Sequence, residues 1–218
     1  MSSSQEKKGV KKMSKERSKC AKCRRLGTKL FLKGDRCFTD KCSLERKKST
    51  LRVSRSGRGL SQYAQQLREK QKLRWKYGVK EKQFENYYRI AERSRGVAGE
   101  ELLRLLERRL DNIIWRLGFC TSRGQARQLV FHGHFLVNGQ KVKTPSYLIK
   151  EKDVIEPKTK SKKLDLIKQN IKLSEKRTRP DWLEMDTASL KGKVLRLPDK
   201  EELDQEIETS LIIEYYSR

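Results

Sequence analysis

Apolar positions recur at helical spacing over residues 61–118 of the chain. Aromatic and aliphatic side chains repeat every three or four residues from Ser61 onward, which predicts two amphipathic helices with a break near Gly78. A segment rich in leucine and isoleucine begins at Leu102 and ends at Gly118, and its spacing predicts a further helical stretch. This part of the chain is therefore predicted to be mainly helical.

A second helix of a pair is predicted to begin at Ser122. The Ser122 hydroxyl can accept a hydrogen bond from the Gln125 backbone amide, and the Gln125 side chain can bond the Ser122 backbone amide in return, as in a capping box. This helix ends at Gly133. Residues 135–142 then place Phe135-Leu136-Val137 and Gln140-Lys141-Val142 on either side of an Asn-Gly pair, which is a strong hairpin signal because both turn residues need a positive φ. A helix pair followed by a hairpin is predicted.

The remaining segments add smaller elements. Further strands are predicted at residues 30–32, 147–149, 153–155 and 181–198. Residues 158–180 are basic and partly helical in their pattern. The segment from Leu203 to Tyr216 is acidic and carries apolar residues, which need a protein surface to pack on.

Composition favours a protein that binds a polyanion. The 218 residues include 54 Lys and Arg against 28 Asp and Glu, which gives a net charge of +26. A hydrophobic fraction of 34% favours two small cores over one large one. Each phosphate that a Lys or Arg neutralises releases a condensed counterion, so nucleic acid is the expected partner.

The charge is unevenly distributed. Residues 1–60 hold 20 basic and 5 acidic side chains, whereas residues 181–218 hold 5 and 10. The acidic end is therefore expected to pack on protein and not on phosphate. No apolar run approaches the roughly 18–20 residues that cross a bilayer, and the first residues lack the apolar core of a secretion signal. No membrane partner is expected.

Four cysteines follow the spacing Cys20-x2-Cys23-x13-Cys37-x4-Cys42 within a basic stretch. This spacing is close to that of closed zinc sites, in which four thiolates complete a tetrahedral shell and leave no position for catalysis. A structural Zn²⁺ is the expected cofactor. The alternative is a set of reduced cysteines without metal, in an arm that binds RNA through charge alone. The fifth cysteine, Cys120, is predicted to be a small buried hydrophobe.

The predicted RNA-binding residues are mostly basic side chains of the cysteine module, the helices and the hairpin. Arginine can grip phosphate at two points, and Gln, His and Asn can bond base edges or 2′-hydroxyls. The set comprises Lys22, Arg24, Arg25, Lys33, Arg36, Arg58, Arg68, Lys72, Arg74, Arg108, Arg109, Arg116, Ser122, Arg123, Arg127, Gln128, His132, His134, Asn138 and Lys141.

Structural roles are alternatives for several of these positions. Arg108 or Arg109 can pair with Glu107 or Asp111 on a helix face. The two histidines of the set can cap a helix C-terminus. Tyr87 and its neighbour Tyr88 are predicted to lie in a core and not to stack on bases.

Residues 107–156, from ERRLDNIIWRLGFC to LIKEKDVIE, resemble the S-four RNA-binding domain. The segments at 20–46, 67–79, 189–203 and 211–218 resemble the bacterial small-subunit ribosomal protein S-four family. The resemblance implies a non-catalytic, primary binder of small-subunit ribosomal RNA that nucleates assembly of the subunit body. It also implies contact with ribosomal protein S-five and other small-subunit proteins, a place in the channel through which mRNA enters, and an influence on translational accuracy.

The resemblance further implies a location in the cytoplasmic ribosome of a bacterium, with an organellar ribosome as the alternative. The cysteine spacing matches family members that carry zinc. Residues 47–59 depart from the family, because they lack the prolines and histidine often found there. Gly124 also departs, since it lies in a helix and costs about 1 kcal/mol there relative to a better helix former.

The predicted fold class is α+β, with a mainly helical first domain, a zinc-type N-terminal arm with four cysteines, and an inserted S-four domain made of a helix pair and a small β-sheet. The arm with its basic extension covers residues 1–58. The helical domain covers 59–98 together with 205–218, and the S-four domain with a β extension covers 99–204.

Two other functions are compatible with an RNA-binding module of this kind. An RNA-modifying enzyme would need a further catalytic domain, and the sequence offers no glycine-rich phosphate loop, Ser-His-Asp set or convincing carboxylate pair. No small-molecule substrate is therefore expected. A regulator that represses its own mRNA is the other alternative.

Overall fold

The structure is a computed structural model that describes residues 18–46, 60–174 and 179–217 of the chain. The α-helices are α1 (Lys19–Leu26), α2 (Gln62–Lys76), α3 (Glu81–Glu92), α4 (Ala98–Glu107), α5 (Leu110–Arg116), α6 (Arg123–Phe131), α7 (Thr159–Lys162), α8 (Asp165–Ser174) and α9 (Thr209–Tyr216). Short 3-10 helices cover Gly34–Phe38 and Lys200–Glu202. The strands are β1 (Phe135–Val137), β2 (Gln140–Lys141), β3 (Val154–Pro157), β4 (Leu183–Asp186) and β5 (Lys191–Val194). Arg58, and the extension before Ser18, lie outside the described residues.

One hydrophobic core lies between α2, α3, α4 and α9. Leu73, Phe84, Leu106 and Ile212 are fully buried within it. Helix α9 thus covers the apolar face that α2 and α4 present, as expected for an acidic segment that needs a protein surface. The predicted boundary at residue 99 falls just inside α4, whose leucines pack in this core.

A second core lies between α5, α6, α8 and the inner face of the sheet. Phe119 and Phe135 meet edge to face with ring centroids 5.3 Å apart, and Trp182 is almost wholly buried beside them. Cys120 is buried in the same core, and burial raises the pKa of its thiol, which agrees with the predicted role as a small hydrophobe.

The sheet is antiparallel with strand order β2-β1-β3-β5-β4. The predicted hairpin is confirmed, because Val137 pairs with Gln140 and the turn residues Asn138 and Gly139 have φ values of 50° and 77°. The Asn138 side chain links the turn to β3, because its Oδ1 accepts a hydrogen bond from the Val154 backbone amide at 2.8 Å. The predicted combination of helices with a small antiparallel sheet is therefore confirmed.

Two predicted strands are wrong. Residues 30–32 do not form a strand, because Phe31 adopts a φ of 51° and the chain turns directly into a 3-10 helix. Residues 147–149 form only an isolated bridge, between Arg109 and Leu148.

The helical stretch predicted from 102 to 117 is broken into α4 and α5. At the break, Arg109 has an extended backbone with a ψ of 136°. The amide of Leu110 donates to the Tyr147 carbonyl, and the Ile149 amide donates to the Arg108 carbonyl, each at 2.9 Å. Bonds to a distant segment replace helical ones here, which sequence periodicity does not reveal.

The N-terminal arm, formed by α1 and the loop after it, packs on α2. Leu26 and Leu30 are buried against Trp75, and Arg68 donates from α2 to the Leu26 carbonyl at 2.6 Å. The arm therefore lies beside the C-terminal half of α2 and close to the start of α6.

Candidate nucleic-acid interface

A basic groove of about 940 Å³ lies between α1, the C-terminal end of α2 and the start of α6. Basic side chains from all three elements line it, and Glu81 is the acidic side chain among them. The basic residues are Lys19, Lys22, Arg25, Arg74, Lys76, Lys80, Arg123 and Arg127. A concave surface with this charge attracts phosphates.

The buried carboxylate of Glu107 joins Tyr77, which lines the groove, to Arg116 of α5. Its side chain is 1% exposed and accepts hydrogen bonds from Tyr77 at 2.5 Å and from Asn112 at 2.6 Å. Arg116 approaches it with two nitrogens, at 3.0 and 2.5 Å. Burial alone would raise the pKa of Glu107, but the charge and bonds of Arg116 outweigh it and lower the pKa to about 2. The group is therefore ionised at neutral pH.

Tyr77 is the donor to this carboxylate. Burial, followed by the negative charge of Glu107, raises the pKa of Tyr77 well above its usual value. The phenol therefore keeps its proton and connects the end of α2 to the end of α4.

A second buried carboxylate, Asp111, gathers two arginines. Arg109 donates to both of its oxygens, at 3.0 and 2.7 Å, and also donates to the Tyr87 hydroxyl at 2.8 Å. Arg127 donates to Asp111 at 2.8 Å and to the Gly78 carbonyl at 2.5 Å. These bonds join α6 to the turn after α2, which are two walls of the basic groove.

Arg123 connects the buried network to the groove. Its guanidinium lies 3.9 Å from the Trp115 ring centroid and 4.7 Å from that of Tyr77, and its Nε donates to Asn112 at 2.7 Å. Contacts with two rings and with Asn112 hold the guanidinium where it lines the groove.

The start of α6 carries a capping serine, Ser122, and a glycine, Gly124, that faces the arm. The Ser122 hydroxyl accepts a hydrogen bond from the Gln125 backbone amide, as predicted. The Gln125 side chain does not return to the Ser122 amide; its Oε1 accepts a hydrogen bond from the Thr121 backbone amide at 2.8 Å. A Cβ atom on Gly124 would lie 2.9 Å from the Lys19 ammonium. The Lys19 ammonium of the arm therefore lies against the first turn of α6, and a larger residue at 124 would displace this flexible side chain.

A smaller basic patch lies at the other end of α6. Lys158 lowers the pKa of its neighbour Lys141, because two ammonium groups share the site. Gly133, with a φ of 71°, leaves room for the Lys141 side chain, since an added Cβ would come within 2.4 Å of it. His132 is the C-cap residue of α6 through its backbone amide, and the His134 ring shares a hydrogen bond with the Ser161 hydroxyl of α7.

The groove gathers five of the predicted RNA-binding residues. They are Lys22, Arg25, Arg74, Arg123 and Arg127. The predicted residues Arg24, Lys33, Arg36, Gln128, Asn138 and Lys141 are exposed but lie outside it. Lys19, Lys76 and Lys80 line the groove and were missed. Their signal is their position, because the first begins α1 and the other two flank the turn after α2.

Arg109 is a correction to the predicted set. Its side chain is 1% exposed and engaged by Asp111 and Tyr87, so no phosphate can reach it while the core is closed. The alternative role, pairing with Asp111, is the one the structure has. Arg116 likewise holds Glu107, and Arg108 donates to the Ile149 carbonyl at 3.1 Å. These arginines support the fold.

Three more predicted residues also have partners within the protein. Arg68 donates a hydrogen bond to the Leu26 carbonyl of the arm, and Lys72 donates one to the Glu206 carbonyl at 2.5 Å. Arg74 donates to the Gln71 side chain and forms an ion pair with Glu81. Tyr87 and Tyr88 are buried, which agrees with the core role predicted for them.

The Cys23 thiol interacts electrostatically with the other three cysteines of the arm. Burial raises the pKa of the Cys23 thiol, and the other three thiols raise it further, against the effect of the Leu30 amide that donates to it. The Lys33 amide donates to Cys37 sulfur at 3.4 Å. Soft donors and amide bonds to sulfur suit a thiolate metal site. Within residues 18–46, 60–174 and 179–217, however, no three or more His, Cys, Asp or Glu side chains are arranged to hold a metal ion.

In the described part of the chain, no helix has the length and apolar character that a membrane crossing requires.

Comparison with known proteins places these features in a family. The family model described as the ribosomal protein S4/S9 N-terminal domain matches residues 14–107, and the S4 domain model matches residues 108–155. Three similar relatives are each called small ribosomal subunit protein uS4. That of Thermodesulfovibrio yellowstonii is 51% identical over 202 residues, which is 92% of this chain and 97% of the relative. That of Thermoanaerobacter pseudethanolicus is 52% identical, over 91% and 96%. That of Nitrosospira multiformis is 52% identical, over 92% and 97%. Such relatives are ribosomal structural proteins and not enzymes, which agrees with the predicted absence of catalysis.

We predict that Glu107→Gln destabilises the fold by about 3 kcal/mol near neutral pH, because it leaves Arg116 facing an uncharged group. The folded-state pKa of about 2 lies below the ordinary 4.5, so the ionic contribution is complete above 4.5 and is lost as the pH falls through 2. Denaturant unfolding of both proteins should therefore show a difference that narrows from about pH 5 to about pH 2.

Glu85→Gln is the matched control, because Glu85 pairs with Arg89 at the surface and should change stability by no more than about 0.5 kcal/mol. A Glu107→Gln effect that is equally small, or that does not change with pH, would contradict the role of the buried charge.

Proposed function

The chain belongs to the small ribosomal subunit protein uS4 family, and we propose that it binds small-subunit ribosomal RNA through the basic groove between α1, α2 and α6. The observation that carries this proposal is the groove itself, in which seven basic side chains from three helices and an eighth, Lys80, from the turn after α2 line one space. Phosphates of a folded RNA are the ligands that such a surface accommodates, since each contact releases a counterion.

The groove is formed before RNA arrives. The Asp111 bonds hold α6 against the turn after α2, and the Glu107 bonds hold α2 against α4 and α5. A preformed site avoids the loss of conformational entropy that a flexible basic segment undergoes on binding. This property suits a protein that binds RNA early and fixes its shape, so we propose a role as a primary binder that nucleates assembly of the subunit body.

We also propose a contact with ribosomal protein S-five, a place in the channel through which mRNA enters, and an influence on decoding accuracy. These follow from the family resemblance and have one physical support here. The exposed carboxylates of Glu201 and Glu208 cannot lie on phosphate, so they are available to a basic protein neighbour. The proposed location is the cytoplasmic ribosome of a bacterium.

We propose in addition that the four cysteines of the arm bind one Zn²⁺. The thiols are close enough to raise the pKa of Cys23 together, and two of the sulfurs already accept amide hydrogen bonds. A divalent cation would remove the repulsion among the thiolates, and the loop from Gly34 to Cys42 would have to rearrange to close the shell around it. Zinc would serve structure only, by holding the arm against α2.

The RNA proposal predicts that Lys80→Ala or Arg25→Ala lowers affinity for small-subunit ribosomal RNA and reduces the salt slope by about 0.9 for each phosphate that the variant no longer neutralises. Both side chains are exposed and line the groove, so their removal leaves the buried network intact. Filter binding across a salt series measures both quantities.

Lys168→Ala is the control, because it removes an exposed lysine of α8 outside the groove. If all three variants had the same slope as the original protein, the groove would not be the RNA site. If the original protein bound its own mRNA leader but no ribosomal RNA, the function would be that of a regulator.

The zinc proposal predicts one zinc per chain by elemental analysis of protein purified under reducing conditions, and its absence from Cys37→Ser. That variant should loosen the arm while the second core stays folded, because the buried apolar side chains of the arm pack on Trp75 of α2 and not within the second core. Cys120→Ala should keep its zinc, since Cys120 lies in the other core. Original protein that contained no zinc after exposure to the metal would contradict the proposal.

A further inference from the structure

A second cleft, of about 370 Å³, lies on the other side of the arm from the main body of the basic groove. Phe31 and Phe38 of the arm, Trp115 and Arg116 of α5, and the segment 202–206 form its walls. The two spaces adjoin, because Phe31, Lys76 and Arg123 line both of them. The volume is within the range of small-ligand sites, roughly 300–1,000 Å³.

The arm presents an aromatic surface to this cleft. Phe38 stacks on Phe31 with ring centroids 4.9 Å apart, and yet 66% of Phe38 is exposed. Phe31 holds its place through a φ of 51°, which is an unfavourable conformation for a phenylalanine. An exposed ring backed by a second ring is the arrangement on which unpaired bases stack.

The polar groups of the cleft are divided between donors and acceptors. Arg123 uses its Nε to bond Asn112, and within the described residues its terminal nitrogens make no hydrogen bond. Opposite, Glu202 is held by Arg196, and Asp204 is held by Lys76 at 2.5 Å. Glu206 differs from them, because its side chain is 72% exposed and meets Lys76 only at 3.4 Å. The cleft therefore offers a guanidinium and an available carboxylate beside an aromatic ring.

Glu206, the carboxylate of the cleft that no cation of the described residues holds closely, repels a phosphate at its wall but not a neutral base. A carboxylate can only accept hydrogen bonds, so it selects a base edge with donors. Guanine presents two adjacent donors there, N1–H and the N2 amino group, which match the two oxygens of one carboxylate. Its O6 atom is an acceptor that suits a guanidinium. Adenine and cytosine present a single amino donor, and uracil a single imino donor.

We propose that the cleft receives one unpaired guanine of the RNA whose backbone lies in the basic groove. Phe38 stacks on the base, Glu206 accepts from N1–H and the N2 amino group, and Arg123 donates to O6. The adjoining phosphate stays on the basic side, near Lys76 and Arg123, which face both spaces. This inference rests on the proposed RNA-binding function and adds a base-specific contact to it.

The test is chemical probing of small-subunit ribosomal RNA with a glyoxal reagent, which reacts with N1 and N2 of unpaired guanine. The full-length protein should protect one guanine that reacts in free RNA. Phe38→Ala should restore its reactivity and weaken affinity about tenfold without a change in salt slope, since stacking involves no counterion release. Phe38→Tyr should retain the protection, and Glu206→Gln should abolish it.

Two controls separate this contact from other effects. Glu201→Gln makes the same chemical change in the same segment outside the cleft and should leave the protection intact. Replacing the protected guanine by inosine, which lacks the N2 amino group, should weaken binding to the original protein but not to Glu206→Gln. That coupling is specific to a direct bond between the two groups.

The possible outcomes distinguish failure of the guanine site from failure of the proposed RNA-binding function. If the original protein gives no footprint on the RNA, the proposed function fails. If the footprint forms but no guanine changes reactivity in Phe38→Ala and Glu206→Gln, the guanine site is wrong and the RNA function stands. Disturbed contact with a protein neighbour and an unchanged guanine would likewise overturn the site and assign the cleft to protein.

Discussion

Two carboxylates, Glu107 and Asp111, carry negative charge into the interior at the junction of the two cores, and the rest of the structure depends on how they are compensated. A buried charge without partners costs several kcal/mol, so each carboxylate requires nearby donors. Tyr77 and Arg116 meet Glu107, while Arg109 and Arg127 meet Asp111. These partners come from α2, α5, α6 and the break between α4 and α5. The network therefore fixes the helical core relative to the core that includes the sheet.

That constraint separates two kinds of cation in a chain with a net charge of +26. Arg109 and Arg116 are used inside, where their charge balances carboxylates. Arg25 and Lys80 remain outside: the internal pairs set the position of the turn that carries Lys80, and packing of the arm on α2 sets that of Arg25. Arg123 belongs to both groups, since it bonds Asn112 within and faces the groove without. RNA binding in this account depends on the fold and not on net charge alone.

Local signals in the sequence predicted much of this architecture. The Asn138-Gly139 turn and the Ser122 cap follow from backbone preferences that need no distant partner, and both are present. The break at Arg109 could not be predicted, because bonds to residues 147–149 replace helical bonds there. Likewise, Arg109 and Arg127 look alike in the sequence, and only tertiary packing buries one and places the other at the groove. The groove was partly predicted for the same reason, since its cations come from three distant segments.

The most direct measurement is an electron cryomicroscopy map of the small ribosomal subunit from the source organism, with this protein in place. We expect ribose-phosphate density along the groove between α1, α2 and α6, with Glu107 and Asp111 still bonded to their arginines and the relative orientation of the two cores unchanged. A groove that faced solvent or protein, with RNA bound at another surface, would contradict it.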